Sequence, residues 1–214
     1  MAPSHALIAR PPAGVFTANE LHSRDSVFST DRWSLRALAG RFIEVSASPF
    51  GTALTATAGL ILEAQRDGKF AVWIGDHRSI FSPPDFALSG IDLNALPVVR
   101  TPDALCAWRV ADTLIRSAAF AVVVLDCRHD AEFPFSVQTR LAGLAKKHST
   151  ALVWIAHRNH QYSASSSLVS LRIETARKRN GFDHFACELR AVKDKHAAPG
   201  WVHTEECHGT DGLC

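Results

Sequence analysis

The chain alternates between short continuous apolar runs and longer stretches in which apolar residues return every three or four positions. The short runs are Phe42 to Val45, Lys69 to Ile74, Leu96 to Val99, Phe120 to Asp126 and Ala151 to Ala156. Continuous apolar character of this length predicts strands buried on both faces. Between them, Thr52 to Gln65 sets Leu54, Ala58, Ile61 and Leu62 at helical spacing, and Asp67-Gly68 ends the element. Ser34 to Ala39 predicts a short helical lead-in, and Ser82-Pro83-Pro84-Asp85 opens a short helix that Gly90-Ile91-Asp92 closes. Pro102 to Ser117 predicts a helix with Leu105, Ala107, Trp108, Ala111, Leu114 and Ile115 on its apolar face, and Pro134 to His148 predicts another. Strand–helix alternation of this kind implies a parallel sheet covered by helices on both faces.

The pattern changes after Ala156. His157 to Ser167 is a polar loop, and Val169 to Thr175 and His184 to Val192 alternate as half-buried strands do. Asn180-Gly181 between them is a hairpin turn signal. Asp194 to Gly200 reads as a turn and Trp201 to Cys207 as a last edge strand. Residues 1–33 show no sustained period and read as a loosely structured N-terminal arm, leaving 34–214 as a single core domain. The expected fold class is α/β: a mostly parallel sheet flanked by helices on both faces, finished by an antiparallel hairpin and an edge strand.

Composition narrows this only a little. The 214 residues suffice for one large core, and 47% hydrophobic with 21% charged content is that of an ordinary globular chain. No apolar run reaches the ~18–20 residues of a membrane span, so no membrane partner is expected. A net charge of +2 favours neither a nucleic acid nor an acidic surface at large. The five cysteines lack paired spacing, which suits reduced thiols and a cytoplasmic location. His196, His203, Cys207, His208 and Cys214 match no closed tetrahedral spacing, so no metal is expected.

The first strand, a small-residue turn and the long helix from Thr52 have the layout of a phosphate-binding loop, where backbone N–H groups at a helix N-terminus hold an anion. Counted back from Gly51, Ser46 stands at the first glycine of that motif, Thr52 at its lysine and Ala53 at its magnesium-binding hydroxyl. The scaffold is kept and its chemistry is missing. Asp126 ends the strongest strand, where a carboxylate serves a nucleotide site, caps a neighbouring loop or pairs with an arginine. Arg172, Arg177, Lys178, Arg179, Arg190, Lys193 and Lys195 form the densest basic cluster, placed to share one surface or to be a solvated hairpin. Tyr162, in the loop before it, is a candidate for base stacking.

The order and spacing of these pieces resemble the core of the RecA-type recombinase family, and in particular the shortened RecA-like proteins of the ImuA kind. The resemblance covers 41–211, about four fifths of the chain, and is carried by the strand–turn–helix at 45–65 with "AVWIGDH" at 71–77. "GIDLNALPVVRTPDALCAW" at 90–108, "AFAVVVLD" at 119–126, "RLAGLAKKHSTALVWI" at 140–155 and "VKDKHAAPGW" at 192–201 complete it. It implies a RecA-like core with a degenerate nucleotide loop (Ser46, Gly51, Thr52, Ala53), in which Asp126 falls on the magnesium carboxylate and His77 on the catalytic glutamate. It places Lys193 and Lys195 on the paired lysines that reach a neighbouring subunit's nucleotide, and hence at a subunit or partner interface. It puts His157 and Arg158 in a shortened DNA-binding loop, and the first DNA loop is curtailed to 127–133.

Phosphoryl transfer depends almost wholly on positioned charge. With lysine, hydroxyl and glutamate all replaced, no ATPase activity and no resident cofactor are expected, beyond weak ATP and magnesium binding at the bare helix N-terminus. The resemblance then implies a non-catalytic accessory protein of DNA-damage tolerance that binds RecA or a Y-family polymerase-like subunit. Two alternatives remain at this stage. One is a single-stranded DNA-binding module using the basic hairpin; the other is an ATPase whose site self-association rebuilds through a neighbour's Lys193 or Lys195.

Overall fold

The computed structural model describes residues 32–46, 52–127, 134–156, 167–179 and 184–208. A short helix α1 (Leu35–Leu38), capped by the Ser34 hydroxyl, leads into strand β1 (Phe42–Ser46). Helix α2 (Ala53–Arg66) and strand β2 (Phe70–Gly75) follow, then helix α3 (Pro83–Leu88) and the short strand β3 (Val98–Arg100). Helix α4 (Ala104–Arg116), strand β4 (Phe120–Asp126), helix α5 (Phe135–His148) and strand β5 (Ala151–Ala156) complete the alternating part. Strands β6 (Leu171–Arg179), β7 (His184–Asp194) and β8 (Val202–His208) finish the fold.

The described strands form one eight-stranded sheet in the order β3-β2-β4-β5-β1-β6-β7-β8. Every pairing from β3 to β6 is parallel, whereas β6–β7 and β7–β8 are antiparallel. The expected α/β class, with a mostly parallel sheet and antiparallel C-terminal strands, is therefore what the chain adopts. Alternation along the strands divides two cores. Ile43, Val45, Trp73, Val153, Ile173 and Leu189 pack against α1, α2 and α3 on one face. Phe42, Val72, Val123, Leu152 and Trp154 pack against α4 and α5 on the other. Helices on both faces satisfy strands that are apolar on both sides.

Several element boundaries and faces differ from expectation for physical reasons. Leu105 is 49% exposed, because α4 buries Ala104, Ala107, Trp108, Ala111 and Ile115, and Leu105 lies one residue, about 100°, off that stripe. On α2 the buried residues are Ala53, Ala56, Thr57, Ala58, Leu60, Ile61 and Ala64, so the expected Ala58 and Ile61 are in the core while Leu54 and Leu62 lie at its margins. Small side chains make up much of that face, which the spacing of the larger residues marks only in part. Strand β6 continues through the basic run to Arg179, and β7 reaches Asp194, because paired backbone groups across the hairpin sustain the strands where burial no longer does. β3 begins only after Pro97, whose ring nitrogen has no N–H for the ladder. The Asn180-Gly181 turn and residues 1–31 lie outside the described residues.

Candidate functional site

The register brings the C-terminal ends of the central strands to one edge, with Ser46 beside Ala156 and Gly75 beside Asp126. Ligands of open parallel sheets bind outside this edge. Helix α2 starts there, and its first turn closes through Ala56 N–H donating to the Thr52 carbonyl at 2.9 Å. Its first N–H groups have no partners within the helix, so they and the macrodipole favour an anion at this end.

The side chains at the loop positions do not add to that attraction. Ser46 is buried and its carbonyl accepts from Thr175 Oγ1 at 3.0 Å. Thr52 is the N-cap of α2 and only 5% exposed, yet its Oγ1 has no hydrogen-bond partner among the described residues. Ala53 is buried against the sheet. Gly51, with the rest of 47–51, lies outside the described residues.

Asp126 is fully buried, and its Oδ2 accepts from Ser79 Oγ at 2.5 Å and from Ile80 N–H at 2.7 Å. Those donors come from the loop after β2, which folds back over the strand end. Gly75 permits this approach, since a Cβ there would stand 2.6 Å from Ser79 Cβ and Oγ. Ser79 Oγ in turn accepts from the Trp73 indole at 3.1 Å, tying the loop to the core. The geometry supports the loop-capping role weighed for Asp126, and Ser79 is the partner that sequence reading did not single out.

His77 is exposed on the same loop, while its neighbour Asp76 is buried and accepts from Arg78 N–H at 2.8 Å. Burial first, and then the Asp76 and Asp126 charges, push the Cys127 thiol up to about 12, away from the thiolate form. His157, Arg158 and Tyr162 lie outside the described residues, as do most of residues 127–133.

The basic cluster does not share one surface. Strand alternation puts Arg172, Lys178, Arg190 and Lys193 on the α4–α5 side of the sheet, interleaved with Glu44, Glu174 and Glu188. Arg172 pairs with Glu44 at 3.5 Å and Lys178 with Glu188 at 2.5 Å. Burial pulls the Lys193 ammonium below its ordinary value, with Lys195 acting in the same sense, Glu44 opposing and Arg172 adding to the fall. Arg177 and Arg179 stand on the opposite face, where Arg177 lies over the Phe185 ring at 3.5 Å.

Lys193 and Lys195 flank Asp194, whose Oδ1 binds Arg41 Nη2 at 2.6 Å with both side chains almost fully buried. Lys195 Nζ donates to the Ser167 carbonyl. Arg41 precedes β1, so Asp194 and Lys195 sit at the N-terminal edge of the sheet, opposite the start of α2. Any contact of Lys195 with such a loop is therefore one between chains.

His203 Nε2 lies 2.9 Å from Glu205 Oε1, and among the described residues no three His, Cys, Asp or Glu side chains converge as a metal site. Among those residues, too, no helix is long and apolar enough to cross a membrane. No protein-family model and no curated protein matches this chain.

Proposed function

We propose that this chain is a RecA-like accessory protein that hydrolyses no nucleotide and acts by binding other proteins in DNA-damage tolerance. The observation that carries the reading is the start of α2. It stands at the strand edge where a phosphate loop belongs, while Thr52 and Ala53 are buried there in place of a lysine and an exposed hydroxyl. Asp126 Oδ2 is likewise engaged by the Ser79 hydroxyl and the Ile80 N–H of the loop after β2. Losing three positioned groups removes more transition-state stabilisation than binding alone restores.

The partners implied by the resemblance are RecA and a Y-family polymerase-like subunit, met in the cytoplasm. A chain that keeps the RecA-like shape and lacks nucleotide-driven closure docks on a RecA filament end and caps it. Calorimetry with ATP and magnesium, at a concentration that populates oligomers, is expected to give no hydrolysis and at most weak heat. RecA-driven strand exchange is expected to slow as the chain is added. Strong ATP binding that requires self-association, lost in Lys193→Ala or Lys195→Ala, would instead establish the rebuilt ATPase.

A further inference from the structure

Strand β6 runs parallel to β1, with Glu174 level with Ser46, so residues 175–179 extend past the end of β1 by about 16 Å of strand. Arg177, Lys178 and Arg179 are all exposed on this projection. Lys178 is taken up by Glu188 on one face. On the other face Arg179 lies directly opposite Phe185, and Arg177 sits on the diagonal with its Cζ 3.5 Å from the ring centroid. That distance is the thickness of a stacked pair, and a planar guanidinium so held loses little further freedom when a second planar group joins it.

We propose that this face of the β6–β7 projection is a contact site for single-stranded nucleic acid, with Arg177 on Phe185 as the stacking platform for a base. An unstacked base has the flat face such a platform fits, and sequence-tolerant binders use aromatic and arginine surfaces in this way. An acidic peptide needs only the edge of the guanidinium and gains nothing from the ring beneath it. The site depends neither on the start of α2 nor on the resemblance to RecA, so either reading can fail without the other.

The test is fluorescence polarisation of labelled oligothymidylate titrated with the full chain at about 50 mM salt, where phosphate contacts are strong. Binding on the order of micromolar is expected, falling as salt rises. Arg177→Ala and Phe185→Leu should each weaken it about tenfold, and Arg177→Lys should weaken it although charge is kept. Arg190→Ala, on the opposite face, should change nothing. Circular dichroism checks each variant's fold, and Arg177→Lys decides the matter if Phe185→Leu unfolds. No binding at low salt, duplex bound as tightly as single strand, or equal displacement by polyglutamate from wild type and Arg177→Lys would each overturn the proposal.

Discussion

At Asp194 two carboxylate oxygens meet three donors: Arg41 Nη2 at 2.6 Å, the His196 N–H at 2.9 Å and the Trp201 indole at 3.0 Å. Arg41 also donates to the Ser170 carbonyl at 3.1 Å, so one node joins β1, β6, β7 and the turn before β8. Removing one partner of a buried ion pair strands the other, so Asp194→Ala should cost about 3–5 kcal/mol in urea unfolding. Burial alone would raise this carboxyl, but the His196 N–H, Trp201 and Arg41 outweigh it and the net pKa is lowered. The folded value lies below the unfolded one. Its stabilisation is therefore complete above the ordinary carboxylate range and is lost as pH falls through the folded pKa. Asp194→Asn should flatten that part of the acid limb of the stability profile; an unchanged limb would show that the carboxylate's charge is not what holds the node.

Thr52 leads to the opposite expectation. Among the described residues its buried Oγ1 has no partner and makes no cap bond, so with respect to them the hydroxyl is desolvated without a compensating hydrogen bond. Thr52→Val should leave stability unchanged or raise it by about 1 kcal/mol in thermal unfolding. A large loss, seen only with phosphate present, would mean that the hydroxyl serves a bound anion. Asp126→Ala should cost about 3 kcal/mol, because the part-buried Ile80 N–H and Ser79 hydroxyl lose their acceptor. If the loop after β2 keeps its stability in that variant, the capping role is wrong.

At the scale of elements, the legible parts were those whose signal is local. The bounds of β4 and β5 follow directly from runs that are apolar at every position but the closing Asp126. The projecting half of β6 was not legible, since Arg177, Lys178 and Arg179 carry no burial pattern and are held in the strand by pairing with β7 alone. The face of α2 was legible in part: Ala58 and Ile61 are buried as their spacing implies, Leu54 and Leu62 are only partly buried, and Leu60, Thr57 and three further alanines complete the contact. The candidate site was legible as a list of residues and not as a geometry. Nothing local in the sequence joins Asp126 to Ser79, 47 positions away, or Arg41 to Asp194, 153 positions away. The even scatter of cations between 172 and 195 likewise hid their division between two faces, which only strand register reveals.

For the whole molecule, the sheet presents two differently equipped edges. The C-terminal edge carries the start of α2, the capped Asp126 and the projecting Arg177–Phe185 stack. The N-terminal edge carries the Arg41–Asp194 node with Lys195 beside it. Under the function proposed above, a chain with Thr52 at one edge and Lys193 and Lys195 at the other would complete a nucleotide site only by stacking on a second chain. That head-to-tail relation is heterologous, and a copy that lacks one half of it ends a filament instead of extending it. The most direct measurement is binding of the purified chain to RecA filaments assembled on single-stranded DNA with ATP, read by interferometry alongside filament length. Saturable binding at about one chain per filament end, with shortened filaments and no hydrolysis by the chain itself, is the predicted result. No binding to RecA, or growth of mixed filaments that hydrolyse ATP through this chain's own loop, would contradict the account.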